Sequence, residues 1–494
     1  MPRALDQLKF VSSYTQLPDS LHVASQPTPL KGSQVISVNP DIAQDIGIDL
    51  CSLDLEKLAN FCGGHNAIPG SNPIAMKYTG HQFGVYNPDL GDGRGLLLGE
   101  VEDEAGVLWD LHLKGAGKTR FSRFGDGKAV LRSSIREYLV SAAMRGLNIP
   151  TTQALCLTNS EQMTMRNGME PCATVLRVTQ SHIRFGHFEY LYYTKQHDEL
   201  KVLADYVISR YMPRLANEEK PYHAMFSTVL ERSAKLVAAW QAYGFVHGVL
   251  NTDNMSIIGE TFDYGPYSFL DEYDMEYVSN KNDHEGRYAF KNQPGIVQWN
   301  LSALAQALLP IVDLDFLKEE LDRYWSVYNA AYRDVMRTRL GLIASNDEKQ
   351  DEQHDILIKG LEQLFIDNRV DLTRFFRVIS DYEGQDALSQ LEQLVTNHQQ
   401  LGAWFGLYEK YLEKQSASYS AEVRQAKMQT TNPVYILRNY MAEEAIRDAH
   451  MGDYKKIAQI LELVRQPYVR HEEDLGYDQA PPSWAAAINL TCSS

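Results

Sequence analysis

Two short polar motifs constrain this chain more than any other feature of its sequence. The first is HGVLNTDN at 247–254, and the second is DYG at 263–265. Ahead of them, apolar residues recur at helical spacing over 229–243, and Gly244 follows as a typical helix C-cap. The sequence therefore predicts a helix that leads directly into a functional loop.

The order and spacing of these motifs are typical of a protein-kinase catalytic loop, H-R-D-L-x-x-x-N, followed by D-F-G. His247 matches the histidine, Asn254 the metal-binding asparagine and Asp263 the aspartate of D-F-G. Val249 stands where a kinase carries its catalytic base, and its side chain can neither accept a proton nor orient a hydroxyl. Because Asp253 supplies a carboxylate nearby, the loop predicts a kinase fold that does something other than ordinary phosphoryl transfer.

The preceding segment has the element order of a kinase small lobe. GDGRG at 91–95 predicts a turn, and the apolar residues at 96–98 and 107–113 predict two strands. Lys114 ends the second strand on the face opposite its leucines, where we expect a solvated cleft. A helical pattern at 133–149 carries Glu137, so the two residues match the ion pair that holds nucleotide phosphates in kinases.

Two arginines and a helical region complete the pattern. Arg177 and Arg184 form a candidate polyphosphate clamp, since guanidinium groups bind phosphate in bidentate geometry; surface arginines at a hinge are the alternative. Residues 299–309 and 317–340 predict helices, and helical patterns continue to about 465. The charged run at 345–355 predicts a surface loop.

Composition excludes several classes of protein. The 494 residues carry 47 Lys and Arg against 64 Asp and Glu, a formal charge of −17, which disfavours nucleic-acid binding. Five scattered cysteines without a C-x-x-C pair argue against a disulfide framework or a zinc site. The sequence shows neither a signal peptide nor an apolar run long enough to span a membrane, so we expect a cytoplasmic protein.

Taken together, the motifs closely resemble the selenoprotein O family of pseudokinases, which use ATP to adenylylate proteins. The matching runs cover most of the chain and occur in the family's order: GHQFG (80–84), GDGR (91–94), LKGAGKTRFSRFGDGK (113–128), RSSIREYL (132–139), HGVLNTDN (247–254), FDYGP (262–266), GRYAF-KNQP (286–294), NPVYILRNY (432–440) and TCSS (491–494).

The resemblance implies an α+β, protein-kinase-like fold with two lobes. We expect a small β-rich lobe at 76–185 and a helical lobe at 186–465. Extensions at 1–75 and 466–494 complete the chain.

The resemblance also implies a function and a set of site residues. It implies transfer of AMP from ATP to Ser, Thr or Tyr hydroxyls of protein substrates, with Mg²⁺ or Mn²⁺ as cofactor and with the nucleotide flipped relative to kinases. The residues that it assigns are Asp253 as base, Lys114 and Glu137 as the ion pair, Asn254 and Asp263 as metal ligands, Arg177 and Arg184 at the outer phosphate, and Gly91, Gly93, Arg94, Asp126 and Gly127 near the nucleotide.

One position departs from the family pattern. Cys492 matches a site that holds selenocysteine or cysteine in relatives, and bacterial relatives carry a second cysteine in the activation segment that can bridge to it. Ser279 occupies that second position here, so we expect Cys492 to be a free thiol.

Three other functions stay open at this point. An atypical protein kinase would use Asp253 in place of the missing base. Transfer of UMP from UTP would use the same groups. A nucleotide-binding scaffold without catalysis is disfavoured, because it has no need of a metal pair.

Overall fold

The computed structural model describes residues 4–166, 168–344, 348–472 and 475–491. Its strands are β1 (Phe10–Val11), β2 (His22–Ala24), β3 (Gln34–Val38), β4 (Ile74–Met76), β5 (Gly80–Gln82), β6 (Val85–Asn87), β7 (Gly95–Glu102), β8 (Leu108–Lys114), β9 (Ala129–Val130), β10 (Gln153–Met165), β11 (Met169–Thr179), β12 (Phe245–Val246) and β13 (Ser268–Phe269).

Its α-helices are concentrated in the second half of the chain. They are α1 (Pro40–Asp45), α2 (Leu55–Cys62), α3 (Leu131–Gly146), α4 (Phe185–Tyr193), α5 (His197–Tyr211), α6 (Pro221–Tyr243), α7 (Gln293–Leu308), α8 (Leu314–Arg339), α9 (Glu348–Asn368), α10 (Leu372–Asp381), α11 (Gly384–Leu391), α12 (His398–Gln415), α13 (Ala421–Gln429), α14 (Asn439–His450) and α15 (Lys455–Arg465).

One large antiparallel sheet organises the first 180 residues. Within the described ranges it contains nine strands in the order β2-β4-β7-β8-β11-β10-β3, with β1 paired to β7 and β9 to β11. Strands β1, β2 and β3 come from the N-terminal 75 residues and add to the sheet on both sides. The expected combination of β-structure and many helices is confirmed, and the structure shows that the sheet is antiparallel.

The two faces of the sheet enter different hydrophobic cores because side chains alternate along a strand. Leu96 and Leu98 of β7 face a smaller core shared with α1 and α2, whereas Leu97 faces the larger core. Helix α3 covers that second face and contacts β10 and β11. Helices α14 and α15 in turn pack on α3.

Helix α6 ends where the sequence pattern predicts. Gly244 follows it in the left-handed conformation, with φ of 71°, and its N–H bonds to helix carbonyls. This C-cap redirects the chain into β12. Strand β12 pairs with β13, and both polar motifs lie between these two strands in the sequence. The helix therefore fixes the start of the loop at 247–254.

The predicted strands before Lys114 and the helix around Glu137 are present as β7, β8 and α3. The predicted loop at 345–355 is wrong from residue 348 onward, since α9 begins there and contacts α8. Two of its carboxylates, Asp351 and Asp355, form ion pairs with Arg333 of α8. Residues 345–347 lie outside the described ranges.

In the parts of the chain that the structure describes, no helix is both long enough and apolar enough to cross a membrane.

Candidate active site

Five charged side chains form a chain of alternating sign between the sheet, α3 and the DYG motif. Lys114 and Arg177 both bond to the carboxylate of Glu137, with Arg177 Nε 2.5 Å from Oε1. Arg177 Nη2 also donates to Asp263 Oδ1 at 2.7 Å, and Arg184 Nη1 donates to Asp263 Oδ2 at 2.6 Å. Three cations therefore share two carboxylates, which leaves one net positive charge.

Strand register brings these residues together. His112 of β8 is opposite Arg177 of β11, so Lys114 lies on the same face of the sheet as Arg177. Helix α3 covers this face and places Glu137 between them. The expectation that Lys114 lies in a solvated cleft is wrong: Lys114, Glu137 and Arg177 are each no more than 5% exposed.

Burial and pairing act against each other in this network. Burial lowers the pKa of Lys114 to about 8, while the charge of Glu137 opposes that change. Burial would raise the pKa of Glu137, but Arg177 and Lys114 outweigh it and hold the pKa below its usual value. For Asp263 the charges of Arg184 and Arg177 likewise outweigh burial, and the pKa lies well below its usual value. Both carboxylates are therefore ionised.

The loop at 247–254 is held by buried polar contacts. The His247 ring contacts the Phe262 carbonyl at 2.8 Å, and its backbone N–H donates to Gln293 Oε1 at 2.9 Å. Asn300 Nδ2 donates to the Leu250 carbonyl at 3.0 Å. Position 249 contributes no polar side chain. The loop is thus rigid without a base at the kinase position.

Two adjacent side chains of this loop have unsatisfied oxygens. Asp253 Oδ1 and Asn254 Oδ1 are both buried and have no hydrogen-bond partner among the described residues. Burial, aided by the charge of Asp263, raises the pKa of Asp253 to about 7, although Arg184 opposes this. Unpaired buried acceptors are costly, which makes them typical of a site that receives a ligand.

The glycine-rich turn at 91–95 is covered by the loop at 117–127. Thr119 Oγ1 donates to the Asp92 carbonyl at 2.6 Å, and Ser122 Oγ donates to the Gly93 carbonyl at 2.5 Å. A Cβ on Gly127, whose φ is 73°, would lie 2.1 Å from the Gly117 backbone. Only glycine permits this approach, which brings the two ends of the loop at 117–127 together. The bonds from Thr119 and Ser122 then join this loop to the turn as one rigid backbone unit.

Some of the residues predicted to lie near the nucleotide make no direct contact with the network of charged side chains. Asp126 instead binds Arg166 in bidentate geometry, with Nη2–Oδ1 at 2.7 Å, and accepts a bond from Thr164. Despite partial burial, these bonds hold the pKa of Asp126 well below its usual value. The charge of Arg94 acts on Lys114 and contributes to lowering its pKa.

The structure also shows residues that sequence analysis missed. The guanidinium of Arg184 lies between the rings of Tyr78 and Phe262, each with its centroid 4.3 Å away. Cation–π contacts of this kind fix the orientation of the group. Tyr78 is more than 100 residues from Arg184 in sequence, so spacing gives no signal. Arg166 was missed for the same reason.

The donor set fits a divalent cation. Asn254 Oδ1 has no partner in the described chain, and Asp263 adds carboxylate oxygens; oxygen ligands of this kind suit Mg²⁺ and Mn²⁺. No group of three or more His, Cys, Asp or Glu side chains suited to a metal occurs among the described residues. A metal held here would therefore depend on phosphate oxygens or water for its remaining ligands.

A cavity of about 650 Å³ lies elsewhere, between α1 and the turn after β7. Its lining includes Asp41, Asp45, Asp49, Asp103 and Glu104. The negative charge of these residues repels a triphosphate, so the volume of a cavity does not by itself identify the nucleotide site.

The segment after the DYG motif packs against the C-terminal tail. Ser279 is buried, and its hydroxyl hydrogen-bonds to Ser268 at 2.6 Å. Lys281 N–H donates to the Leu490 carbonyl at 3.0 Å. Cys492 lies outside the described residues, so its free thiol stays a prediction.

A family model and several known proteins match this chain over nearly its whole length. The family model described as "Protein adenylyltransferase SelO" matches residues 4–465. The "Protein nucleotidyltransferase YdiU" of Hahella chejuensis (strain KCTC 2396) is 55% identical over 492 residues, covering 99% of each chain. Proteins with the same name from Pseudomonas fluorescens (strain SBW25) and Vibrio vulnificus (strain YJ016) are 46% and 45% identical, covering 100% and 99% of each chain.

The network of ion pairs predicts that Glu137→Gln and Lys114→Met lower the free energy of unfolding by different amounts. Glu137→Gln removes the carboxylate that Lys114 and Arg177 share, so we expect it to lower the free energy of unfolding by about 3–5 kcal/mol. Lys114→Met should cost less, because Arg177 still pairs with Glu137. Urea unfolding of both variants measures the difference. Glu161→Gln, in the exposed pair with Lys31, is the control and should change the value by about 1 kcal/mol or less. A larger loss in Lys114→Met would contradict this account of the network.

Proposed function

This chain belongs to the protein adenylyltransferase SelO family and is a nucleotidyltransferase, and on that premise we propose that it transfers AMP from ATP to Ser, Thr or Tyr hydroxyls of proteins. The carrying observation is the combination of Val249 at the kinase base position with a buried, unpartnered carboxylate oxygen on Asp253. The carboxylate lies next to a network of net positive charge.

Arg177 and Arg184 hold the outer phosphates in this proposal. Arg184 Nε is buried and has no partner among the described residues, so it can donate to a phosphate oxygen. The net charge of the network attracts a polyanion, and a water-poor site strengthens that attraction. Lys114, kept in place by Glu137, completes the set of cations. Pyrophosphate is then the group that these cations stabilise as it leaves.

Asp253 acts as the general base. It takes the proton of the acceptor hydroxyl while the hydroxyl oxygen bonds to the α-phosphorus. The bond from the α-phosphorus to the bridging oxygen breaks, and the electron pair leaves with pyrophosphate. Arg184 supports this geometry, because its Nη1 donates to the Asp253 backbone carbonyl at 3.0 Å.

Asn254 and Asp263 would hold the divalent cation, Mg²⁺ or Mn²⁺. When bound, the cation neutralises phosphate charge and polarises the reacting phosphoryl group. The Asp263 carboxylate is pre-positioned for this role by its bonds to Arg177 and Arg184.

The rigid glycine unit lies over the remaining part of the nucleotide. Gly91 and Gly93 bring backbone close to the ligand, and Arg94 adds charge beside Lys114. Asp126 and Gly127 shape the facing loop. Since Asp126 is held by Arg166, its contribution is to fix this loop.

We infer a kinase-like arrangement of two lobes around this site. The β-rich lobe spans 76–185 and the helical lobe 186–465, with extensions at 1–75 and 466–494. The antiparallel sheet, and the catalytic loop that follows α6, support this division.

Transfer of label from the α-phosphate or from the γ-phosphate of ATP distinguishes the possible reactions. ATP labelled at the α-phosphate should label the protein itself and added acceptor proteins, whereas ATP labelled at the γ-phosphate should not. Label from the γ-position alone would establish an atypical kinase, and label from neither a scaffold. UTP labelled at the α-phosphate, assayed in parallel, tests UMP transfer. Mass spectrometry of labelled peptides identifies the modified hydroxyl.

The metal assignment predicts an effect on nucleotide binding. Asp263→Asn keeps the size of the side chain but removes its charge, so the shift in Tm on adding ATP with Mg²⁺ should fall and transfer should be lost. Asp274→Asn, after the DYG motif, is the control. An unchanged shift in Asp263→Asn would show that the metal binds elsewhere.

The base assignment predicts a separation of binding from transfer. Asp253→Asn removes the proton acceptor, and we expect transfer to fall by about 100-fold or more. The Tm shift with ATP and Mg²⁺ should persist, because the arginines and Asp263 remain. Transfer at the wild-type rate in this variant would exclude Asp253 as the base.

A further inference from the structure

A β-hairpin lies directly on the loop that carries the proposed base. Strands β5 and β6 pair with Gln82 opposite Val85, so the turn contains only Phe83 and Gly84. Both turn residues have positive φ, 51° and 82°. This is the geometry of a type I′ turn, in which Asn-Gly or Gly-Gly is preferred.

Phe83 is an unfavourable choice for this turn. A bulky residue in the left-handed region is strained, and burial compensates only in part, because the Phe83 ring lies against Tyr288, with centroids 5.1 Å apart, but stays 43% exposed. The neighbouring Val85 is 71% exposed. The hairpin therefore holds two apolar side chains at the surface at a cost in stability, which indicates a role in binding.

The hairpin is fixed to the catalytic loop by hydrogen bonds. His81 N–H donates to Thr252 Oγ1 at 2.7 Å. Phe83 N–H donates to the Tyr288 hydroxyl at 3.0 Å, and that hydroxyl donates to Asn251 Oδ1 at 2.7 Å. These contacts involve the two residues immediately before Asp253. The exposed apolar tip is thus held in a fixed position beside the base.

A cation lies against the same turn. A Cβ on Gly84 would lie 3.3 Å from the guanidinium carbon of Arg287, and that group stacks over Trp299 at 4.9 Å. Arg287 Nε is buried without a hydrogen-bond partner, although the Arg287 side chain also hydrogen-bonds to that of Tyr288. Among the described residues no carboxylate forms an ion pair with Arg287. The surface therefore combines apolar area with an unpaired positive charge.

We propose that Phe83, Val85 and Arg287 form the docking surface for the acceptor protein. This inference rests on the proposed function, in which a protein hydroxyl must reach Asp253. The occupant is an extended segment that places an apolar or aromatic side chain on Phe83 and Val85 and a carboxylate on Arg287. Continuity with the catalytic loop and charge complementarity with Arg287 select this occupant. Tyr, Trp and Arg side chains next to a buried centre are also characteristic of protein interfaces.

The test is a positional-scanning library of synthetic peptides, each with one central Ser, Thr or Tyr, and ATP labelled at the α-phosphate. Wild-type protein should favour peptides with one Phe, Leu or Val and one Asp or Glu near the hydroxyl, by at least tenfold in kcat/KM over Gly and Lys at those places. Arg287→Glu should reverse the acidic preference to a basic one. Phe83→Asn with Val85→Ser should remove the apolar preference, chiefly through KM.

The variants are chosen so that the fold is retained. Asn adopts the left-handed region more readily than Phe, so the double variant should keep its Tm. Matched controls are Val202→Ser and Arg214→Glu, at exposed positions on and after α5, which should keep the wild-type preferences. Each variant should retain the Tm shift with ATP and Mg²⁺. If the double variant fails to fold, Val85→Ser alone tests the apolar preference and Arg287→Glu tests the charge preference.

The outcomes separate this inference from the proposed function. Labelled peptides with no residue preference, or an unchanged preference in Arg287→Glu, would overturn the docking surface and leave AMP transfer intact. Absence of label on any protein or peptide with the wild type would overturn AMP transfer, and the acceptor surface with it. A reversal of charge preference in Arg287→Glu supports the surface, because a merely structural role cannot produce it.

Discussion

The alternating pairing of Lys114, Glu137, Arg177, Asp263 and Arg184 is the interaction on which the rest of the site depends. Four of these charges are almost fully buried and Asp263 is partly buried, and each has a neighbour of opposite sign within hydrogen-bond distance that offsets the cost of burial. The residues come from strands β8 and β11, from helix α3, from the position directly before α4 and from the loop that carries Asp263. The network therefore fixes these five segments relative to one another while it sets the charge of the site.

The same network explains how a site can be buried and still bind a polyanion. Three cations and two carboxylates leave one excess positive charge within this chain of contacts, and the carboxylates of Asp92 and Asp253 also act on Arg184 from outside it. A bound nucleotide adds negative charge at that point, and the unpartnered Nε of Arg184 supplies a donor for it. The charge excess is thus useful for binding and carries a cost in the stability of the free protein, as is common for functional sites.

Local sequence patterns predict part of the fold correctly. The strands before Lys114, the helix around Glu137 and the capped end of α6 follow from periodicity and from glycine at a left-handed position. The predictions are wrong where tertiary contacts decide the structure. Lys114 alternates with leucines, which suggests a solvated face, but α3 covers that face. The charged residues after 347 suggest a loop, but Asp351 and Asp355 pair with Arg333, on a facing helix. The motifs contain three of the charged residues that the structure brings together, and they contain Phe262 beside Arg184. Tyr78, the other ring on Arg184, lies outside every motif and more than 100 residues away in sequence.

The position of the proposed base follows from close backbone packing as much as from the loop itself. A Cβ on Gly80 would lie 3.0 Å from the Asp253 backbone nitrogen, and a Cβ on Gly186 would lie 2.0 Å from the Thr79 carbonyl oxygen. Glycine at both positions lets the start of β5 and the start of α4 approach the catalytic loop at the same point. Asp253 is consequently buried between segments that lie far from it in sequence. A carboxylate at position 249 would occupy a different environment, so moving the base along the loop changes both its location and its surroundings. This packing places the hairpin beside the proposed base, so that the proposed acceptor surface and the proposed proton acceptor belong to one rigid unit.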